Sequence, residues 1–369
     1  MRAGNRRITT MRSVSARRIL MVDKVLSEQG AGSISTTAIR IRESGIERRA
    51  RFRGLAEPLS LLVALAVLIG VFSLFNERFL TASNFQNVLT QSAIPLIVAV
   101  GATLVILLGS IDLSVEGVMG ATGMTWILLS ANSRGGGDLG PWAWVIALGV
   151  ALVLGVASGL IFTALKVPSF IVTLGMWYVG LGIATMLYGT DLLPRLEDEG
   201  LKGWTSRISF GLPNSFWVAL LVIGLGMFVL RSTRIGRVTL AIGNSETIVR
   251  SAGLPAFRVK VAVFAIAALL SGLGGILATV QLDIGSPTVG SGVLFIVIPA
   301  VVIGGTHLGG GKGGILRTVL GVFLLTILNN GLILSGVESS YQSAVTGAIL
   351  VAAIVFAAWS QRDRLQVAK

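Results

Sequence analysis

Residues 109–117 read GSIDLSVEG, and uncharged apolar sequence flanks them at 79–111 and 117–133. A charge in hydrocarbon costs about 2.5–3.5 kcal/mol even on the most lenient insertion scales, so Asp112 and Glu116 demand an account. Gly109 and Ser110 weaken a helix, glycine by about 1 kcal/mol relative to alanine. Asp112 is then placed to accept hydrogen bonds from amides at the start of the next helix. Glu116 follows one turn later, still near the positive end of the helix dipole. Non-helical backbone is tolerated at membrane depth where it faces protein or a water-filled cavity. The stretch therefore reads in three ways: as an N-cap at a broken or re-entrant helix, as part of a gate or pathway, or as a proton relay.

Outward from this stretch the same alternation continues. Uncharged stretches lie at 58–76, 79–111, 117–133, 139–165, 167–190, 208–230, 261–282, 284–311, 318–337 and 339–361. A spanning helix needs about 20 residues. The chain is 53% hydrophobic and 13% charged, against about 25% charged in a soluble domain. Its mean hydropathy is +0.83. The expected fold is all-α, a polytopic membrane protein of about ten transmembrane helices. A β-barrel would need shorter alternating segments, which are absent.

The charges orient these spans. With the N-terminus inside, the cytoplasmic segments carry 25 Lys+Arg and the outer segments five, namely Arg78, Arg134, Arg195, Lys202 and Arg207. Without the N-terminal segment the ratio is still 12 to five. Both termini are expected in the cytoplasm. Residues 1–54 read as a basic, disordered tail, 55–361 as the membrane domain and 362–369 as a short C-terminal tail. The net charge of +13 is concentrated in the tail and a few loops, with no basic stripe among aromatics, so nucleic acid is not expected as a partner. The chain has no cysteine, which excludes disulfides and thiol chemistry, and one histidine, which excludes a His-rich metal site. No nucleophile–base constellation is present, and neither an enzymatic site, a cofactor nor a metal is expected.

GSIDLS (109–114) and GGTHLG (304–309) align without gaps, matching Gly109 with Gly304, Asp112 with His307 and Leu113 with Leu308. Both follow an even-numbered span, which suits two related halves. GGTHLGGGKGG (304–314) is not a P-loop. Thr306 stands where the first glycine is required, and Gly313 stands where Ser or Thr must follow Lys312. A tight loop between helices is the expectation, with His307 hydrogen-bonded in it. Asn329 and Asn330 lie within a span and need partners, in packing or along a polar path.

The longest internal polar segment is 231–260. Within it, NSETIVRSAGL reads as a short helix outside the bilayer. Asn244 or Ser245 would cap it, Glu246 suits its first turn, and Gly253 would end it before Pro255. It is either a solvated linker or a docking helix for a cytoplasmic partner. GVASG (155–159) and SGLGG (271–275) carry the small-residue spacing of close helix packing. Trp142, Trp144 and Trp217 fall near expected outer ends.

Five colinear segments carry a resemblance: GATLVILLGSIDLSVEG (101–117), VPSFIVTLGM (167–176), GRVTLAIGNSETIVRSAGL (236–254), SPTVGSGVLFIVIPAVVIGGTHLGGGKGG (286–314) and LNNGLILSGV (328–337). Over about residues 58–360 the chain resembles the permease subunit of ribose- and xylose-type ABC importers. That branch also takes up other monosaccharides and autoinducer-2. The resemblance implies a bacterial inner-membrane permease carrying a monosaccharide or related small polar solute. It also implies pairing with a second permease copy, as homodimer or heterodimer. The implied partners are a cytoplasmic ABC ATPase that supplies two ATPase domains and a periplasmic sugar-binding protein, with membrane lipid around the spans. Gly243, Asn244, Glu246, Arg250 and Gly253 match the segment that docks on the ATPase. Asp112, Ser114 and Glu116, with His307, Asn329 and Asn330 from the second half, are the gate or pathway candidates. The family usually reads DLSVG in the first loop, where this chain has Glu116, and a small residue at His307. The rival readings are a proton-coupled secondary transporter using Asp112 or Glu116, and a membrane scaffold whose basic tail binds anionic lipid.

Overall fold

The computed structural model describes residues 59–338 and, beyond them, 341–342, 344–345, 347–348 and 351. The expected tails at 1–54 and 362–369, and most of the stretch 339–361, lie outside the described residues. The chain divides into two units, Met1–Glu57 and Pro58–Lys369.

The described part of the second unit is mostly helical. Helix α1 (Leu59–Phe75) leads through a 3-10 turn at Glu77–Leu80 into α2 (Ala82–Leu107) and α3 (Val115–Leu129). Next come α4 (Pro141–Leu165), α5 (Ser169–Tyr188) and a small antiparallel hairpin of β1 (Ile208–Ser209) and β2 (Leu212–Pro213). The chain continues as α6 (Asn214–Ser232), α7 (Arg234–Asn244), α8 (Glu246–Ser251), α9 (Ala256–Leu282), α10 (Val293–Ile303) and α11 (Ile315–Leu334).

Each of the first nine uncharged stretches forms one helix. Among the described residues six are long and apolar enough to cross a membrane: α2, α4, α5, α6, α9 and α11. Helix α3 has 15 residues and α10 has 11. At 1.5 Å per residue they reach about 22 and 16 Å, short of the roughly 30 Å of a bilayer core. Both start late. Residues 110–114 are non-helical before α3, and Asp283 and Gly292, both left-handed, bracket the turns before α10. The charged and glycine-rich stretches are thus the ones that make short helices.

The helices alternate direction, and their loops gather at two ends. One end holds Lys166, the six basic residues of 231–260, Lys312 and Arg317. At the other end the loops knit together through Ser133 N to Arg195 O (2.9 Å), Leu196 N to Asp283 O (3.0 Å) and Gly285 N to Pro194 O (2.9 Å). There Arg134 donates to the carbonyls of Tyr188 (2.8 Å) and Leu192 (2.6 Å) and neutralises the C-terminal end of α5.

Helix α2 is buried along almost its whole length, and α9 packs across α2, α3 and α4. The small-residue motifs allow that approach. A Cβ at Gly155 would stand 2.8 Å from the Phe264 carbonyl oxygen, and one at Gly272 would stand 2.6 Å from the Ala151 Cβ. The outer faces of α4, α5 and α6 expose Val153, Val179, Leu221 and Phe228, an apolar belt suited to lipid. Trp142 is exposed at the start of α4, Trp144 packs edge-on to Trp126, and Trp217 Nε1 donates to the Ser209 carbonyl (2.8 Å). All three tryptophans lie at the end opposite the basic one.

Candidate functional site

Three chain segments meet at the basic end. Helix α2 closes on Gly109, whose φ of +78° suits glycine. Its N–H donates to Ile106 O (2.9 Å), and Ser110 N donates to Val105 O (3.2 Å). Helix α10 ends the same way. Gly305 has φ +78° and donates to Val302 O (2.8 Å), and Thr306 N donates to Val301 O (3.1 Å). The two turns therefore match, but one residue later than the gapless alignment. Gly109 corresponds to Gly305 and Asp112 to Leu308, not to His307. With glycine at both 304 and 305, letters alone could not fix the register; the left-handed turn does.

The two loops touch each other and the end of α7. Gly311 N donates to the Leu107 carbonyl (2.9 Å), and a Cβ at Gly109 would stand 3.2 Å from Gly309 O. A Cβ at Gly243 would strike the Leu107 carbonyl and the Gly311 amide. Asn244 Nδ2 donates to Leu240 O (2.8 Å) within α7 and to Gly311 O (3.3 Å) across the joint. Asn244 thus ends α7, while Ser245 caps α8 and accepts from Ile248 N (3.5 Å). The sequence reading found α8 and missed α7, an amphipathic helix that buries Val238, Thr239 and Ile242. Its signal was the apolar spacing i, i+4 in RVTLAIGN. His307 lies in the glycine loop, its N–H donating to Lys312 O (2.9 Å).

Glu246 opens α8 and ties it to α9. Its Oε1 accepts from Arg250 Nη2 (2.6 Å) and Nε (2.9 Å), and its Oε2 accepts from Lys260 Nζ (2.6 Å). Lys260 is 7% exposed, and its ammonium also lies 4.9 Å from the Phe162 ring centroid. Partial burial pushes the Glu246 carboxyl up, but the bonds from Lys260 and Arg250, with their charges, outweigh it and hold the group below its usual range. Gly253 stands apart from this cluster; its φ of +69° ends α8 in open space.

Beyond Gly109 the chain climbs in extended form, clamped by α5. Ile111 N donates to Ser169 Oγ (3.0 Å), and Leu113 N donates to Thr173 Oγ1 (2.9 Å). Asp112 Oδ1 accepts from the Ser114 amide (2.8 Å) and hydroxyl (2.6 Å), so it caps the entry to α3. Glu116 reaches further: Oε1 accepts from Gly292 N (3.0 Å) and Leu294 N (3.2 Å) at the start of α10. Its charge rests on the positive end of a second short helix. Sequence reasoning missed Ser169 and Thr173. Their i, i+4 spacing in PSFIVTLG puts both hydroxyls on one face.

A cavity of about 1060 Å³ opens between α2, α9, α10 and α11. The amides of Gln91, Gln281, Asn329 and Gln342 line it among apolar neighbours such as Met119 and Phe295, with no charged side chain among the described residues. Gly292, held by Glu116, is part of its wall. The two asparagines of 329–330 part company. Asn329 faces the cavity, whereas Asn330 is buried in a reciprocal amide pair with Asn84 (3.0 Å both ways).

Apolar helices around an amide-lined cavity, with polar segments gathered at one end, define a multi-pass membrane permease. The chain belongs to the family described as branched-chain amino acid transport system / permease component, which matches residues 84–354. Its similar proteins include the ribose import permease protein RbsC of Escherichia coli (strain K12), 37% identical over 298 residues, or 80% of this chain and 91% of that one. RbsC of Bacillus subtilis (strain 168) is 34% identical, covering 84% and 95%. The L-arabinose transport system permease protein AraH of Escherichia coli (strain K12) is 30% identical, covering 84% and 93%. These relatives agree with the resemblance read from the five motifs.

Proposed function

We propose that the chain is the membrane permease subunit of an ABC importer, moving a monosaccharide or related small polar solute across a bacterial inner membrane. The observation that carries this reading is the cavity. Its amides offer donors and acceptors to hydroxyls, and among the described residues its walls offer no fixed charge to an ion. Relatives named for ribose and L-arabinose support the sugar class.

Partner subunits hydrolyse the ATP, a periplasmic binding protein delivers the solute, and a second permease copy completes the pore. The chain crosses the membrane about ten times with both termini in the cytoplasm, and the short helices α3 and α10 are broken halves that meet within it. Helix α8 docks on the ATPase through the segment holding Gly243, Asn244, Glu246, Arg250 and Gly253. The contact of that segment with both glycine loops supports the role, because a push on α8 would reach α2 and the loop beyond α10 together. Asp112 and Glu116 act as caps of broken helices, with the Ser114 hydroxyl donating to Asp112. The two carboxylates accept backbone amides, which favours capping over a proton relay.

The test is uptake of labelled ribose and L-arabinose by vesicles holding the full complex, with the ATPase either intact or catalytically dead. Uptake of a sugar that requires hydrolysis is the expected result. Uptake that persists with the dead ATPase and follows a pH gradient would instead favour proton coupling through Asp112 or Glu116.

A further inference from the structure

A second cleft, of about 490 Å³, lies at the basic end between the α4–α5 turn and the α8–α9 segment. Three cations, Lys166, Arg250 and Lys260, line it against a single carboxylate, Glu246. Arg250 and Lys260 are both engaged with Glu246. Lys166 is exposed and makes no hydrogen bond or ion pair among the described residues. The cleft is therefore left with an excess of about two positive charges. Thr163 also lines it, 6% exposed, and its Oγ1 is buried without a hydrogen-bond partner. An unpartnered buried hydroxyl costs about 1–3 kcal/mol, so a ligand oxygen that accepts from it removes a standing penalty.

What flanks the cleft decides between a soluble anion and a lipid. Leu165 is 67% exposed, Phe170 48% and Ile171 50%, all beside the turn that carries Lys166. An apolar rim next to a cationic, hydroxyl-bearing cleft suits a headgroup whose acyl chains lie along the neighbouring helices. A free anion would gain nothing from that rim.

We propose that this cleft binds the phosphate of an anionic phospholipid, with Lys166 and the Thr163 hydroxyl as its unengaged ligands and Arg250 and Lys260 supplying the field behind them. The bound lipid would bridge the α4–α5 turn to α8, so the surrounding membrane composition would set how firmly that helix is held. The proposal rests on the permease reading only for placing the chain in a bilayer, and does not need α8 to dock on an ATPase.

The full-length permease, purified and stripped of lipid, is titrated with phosphatidylglycerol, with phosphatidylcholine and with inorganic phosphate. Native mass spectrometry and melting temperature are the readouts. Phosphatidylglycerol is expected to bind and to stabilise, and the other two probes are not. Lys166→Gln should weaken the binding about fivefold. Thr163→Val should weaken it too while leaving the lipid-free melting temperature unchanged or higher, because the lost hydroxyl had no partner. Equal binding of the two lipids would overturn the proposal, as would inorganic phosphate stabilising as well as phosphatidylglycerol. So would wild-type affinity in both variants. None of these readouts depends on sugar uptake, so the lipid site and the transported solute stand or fall separately.

Discussion

Gly243→Ala isolates the joint at the basic end. In that variant the added methyl meets the Leu107 carbonyl and the Gly311 amide, and it also lies 3.0 Å from the Gly310 carbonyl carbon. All three are backbone atoms, so no side chain can swing aside. Overpacking of this kind costs about 1–3 kcal/mol. Forcing the segments apart also loses the hydrogen bond from Gly311 to Leu107, worth about 1 kcal/mol. Against this stands the better helix propensity of alanine, about 1 kcal/mol in a helix interior and less here, one residue from the end of α7. The balance is a local destabilisation of about 1–3 kcal/mol, which speeds hydrogen exchange in peptides covering 107–111 and 309–313 by about five- to hundredfold. Exchange elsewhere in α4 and α5 should not change. Exchange–mass spectrometry on the solubilised protein reads this directly. Wild-type protection in both peptides, in a variant that expresses normally, would refute the close approach.

Three further outcomes follow from other parts of the molecule. Asn84→Leu leaves the Asn330 amide unpaired in a buried site and should destabilise by about 1–3 kcal/mol in thermal unfolding; the double change with Asn330→Leu should cost less than the two single changes summed. Because the Glu246 carboxyl is held below its usual range, its ion pairs stabilise fully above the unfolded value of about 4.3 and fade as pH falls through the lower folded value. Glu246→Gln should flatten that acid limb of the stability–pH curve, by about 0.5–1 kcal/mol for so exposed a group. Thr173→Val frees the amide of Leu113 and should lower solute uptake more than it lowers expression, whereas Asp112→Asn, which keeps an acceptor oxygen for Ser114, should leave uptake near normal.

Much of the helical layout was legible because hydropathy and charge act along the chain, within one helix length. Among the described residues the first nine uncharged stretches each hold one helix, and of the two cap candidates Asn244 and Ser245 the second caps α8, with Glu246 in its first turn and Gly253 just past its end. What stayed hidden depends on contacts between distant segments. Nothing local in VIPAVVIGG says that α10 runs only 11 residues, or which of Gly304 and Gly305 turns left-handed. Glu116 could be recognised as an oddity, yet its partners at Gly292 and Leu294 lie far off in sequence. The same holds for Lys260, which looks like one more inside-positive residue until Glu246 and Phe162 close around it. Adjacent and identical, Asn329 and Asn330 differ only in which way a helix turns them.

Helix α9 runs unbroken from Ala256 to Leu282, with Lys260 near one end and Gln281 near the other. The interval is about 32 Å along the axis at 1.5 Å per residue. A tilt of about 5° pivoting at the Lys260 end would therefore sweep the Gln281 amide through about 3 Å, roughly the length of one hydrogen bond. A rod of that reach needs no large rearrangement to trade one set of contacts with a solute for another.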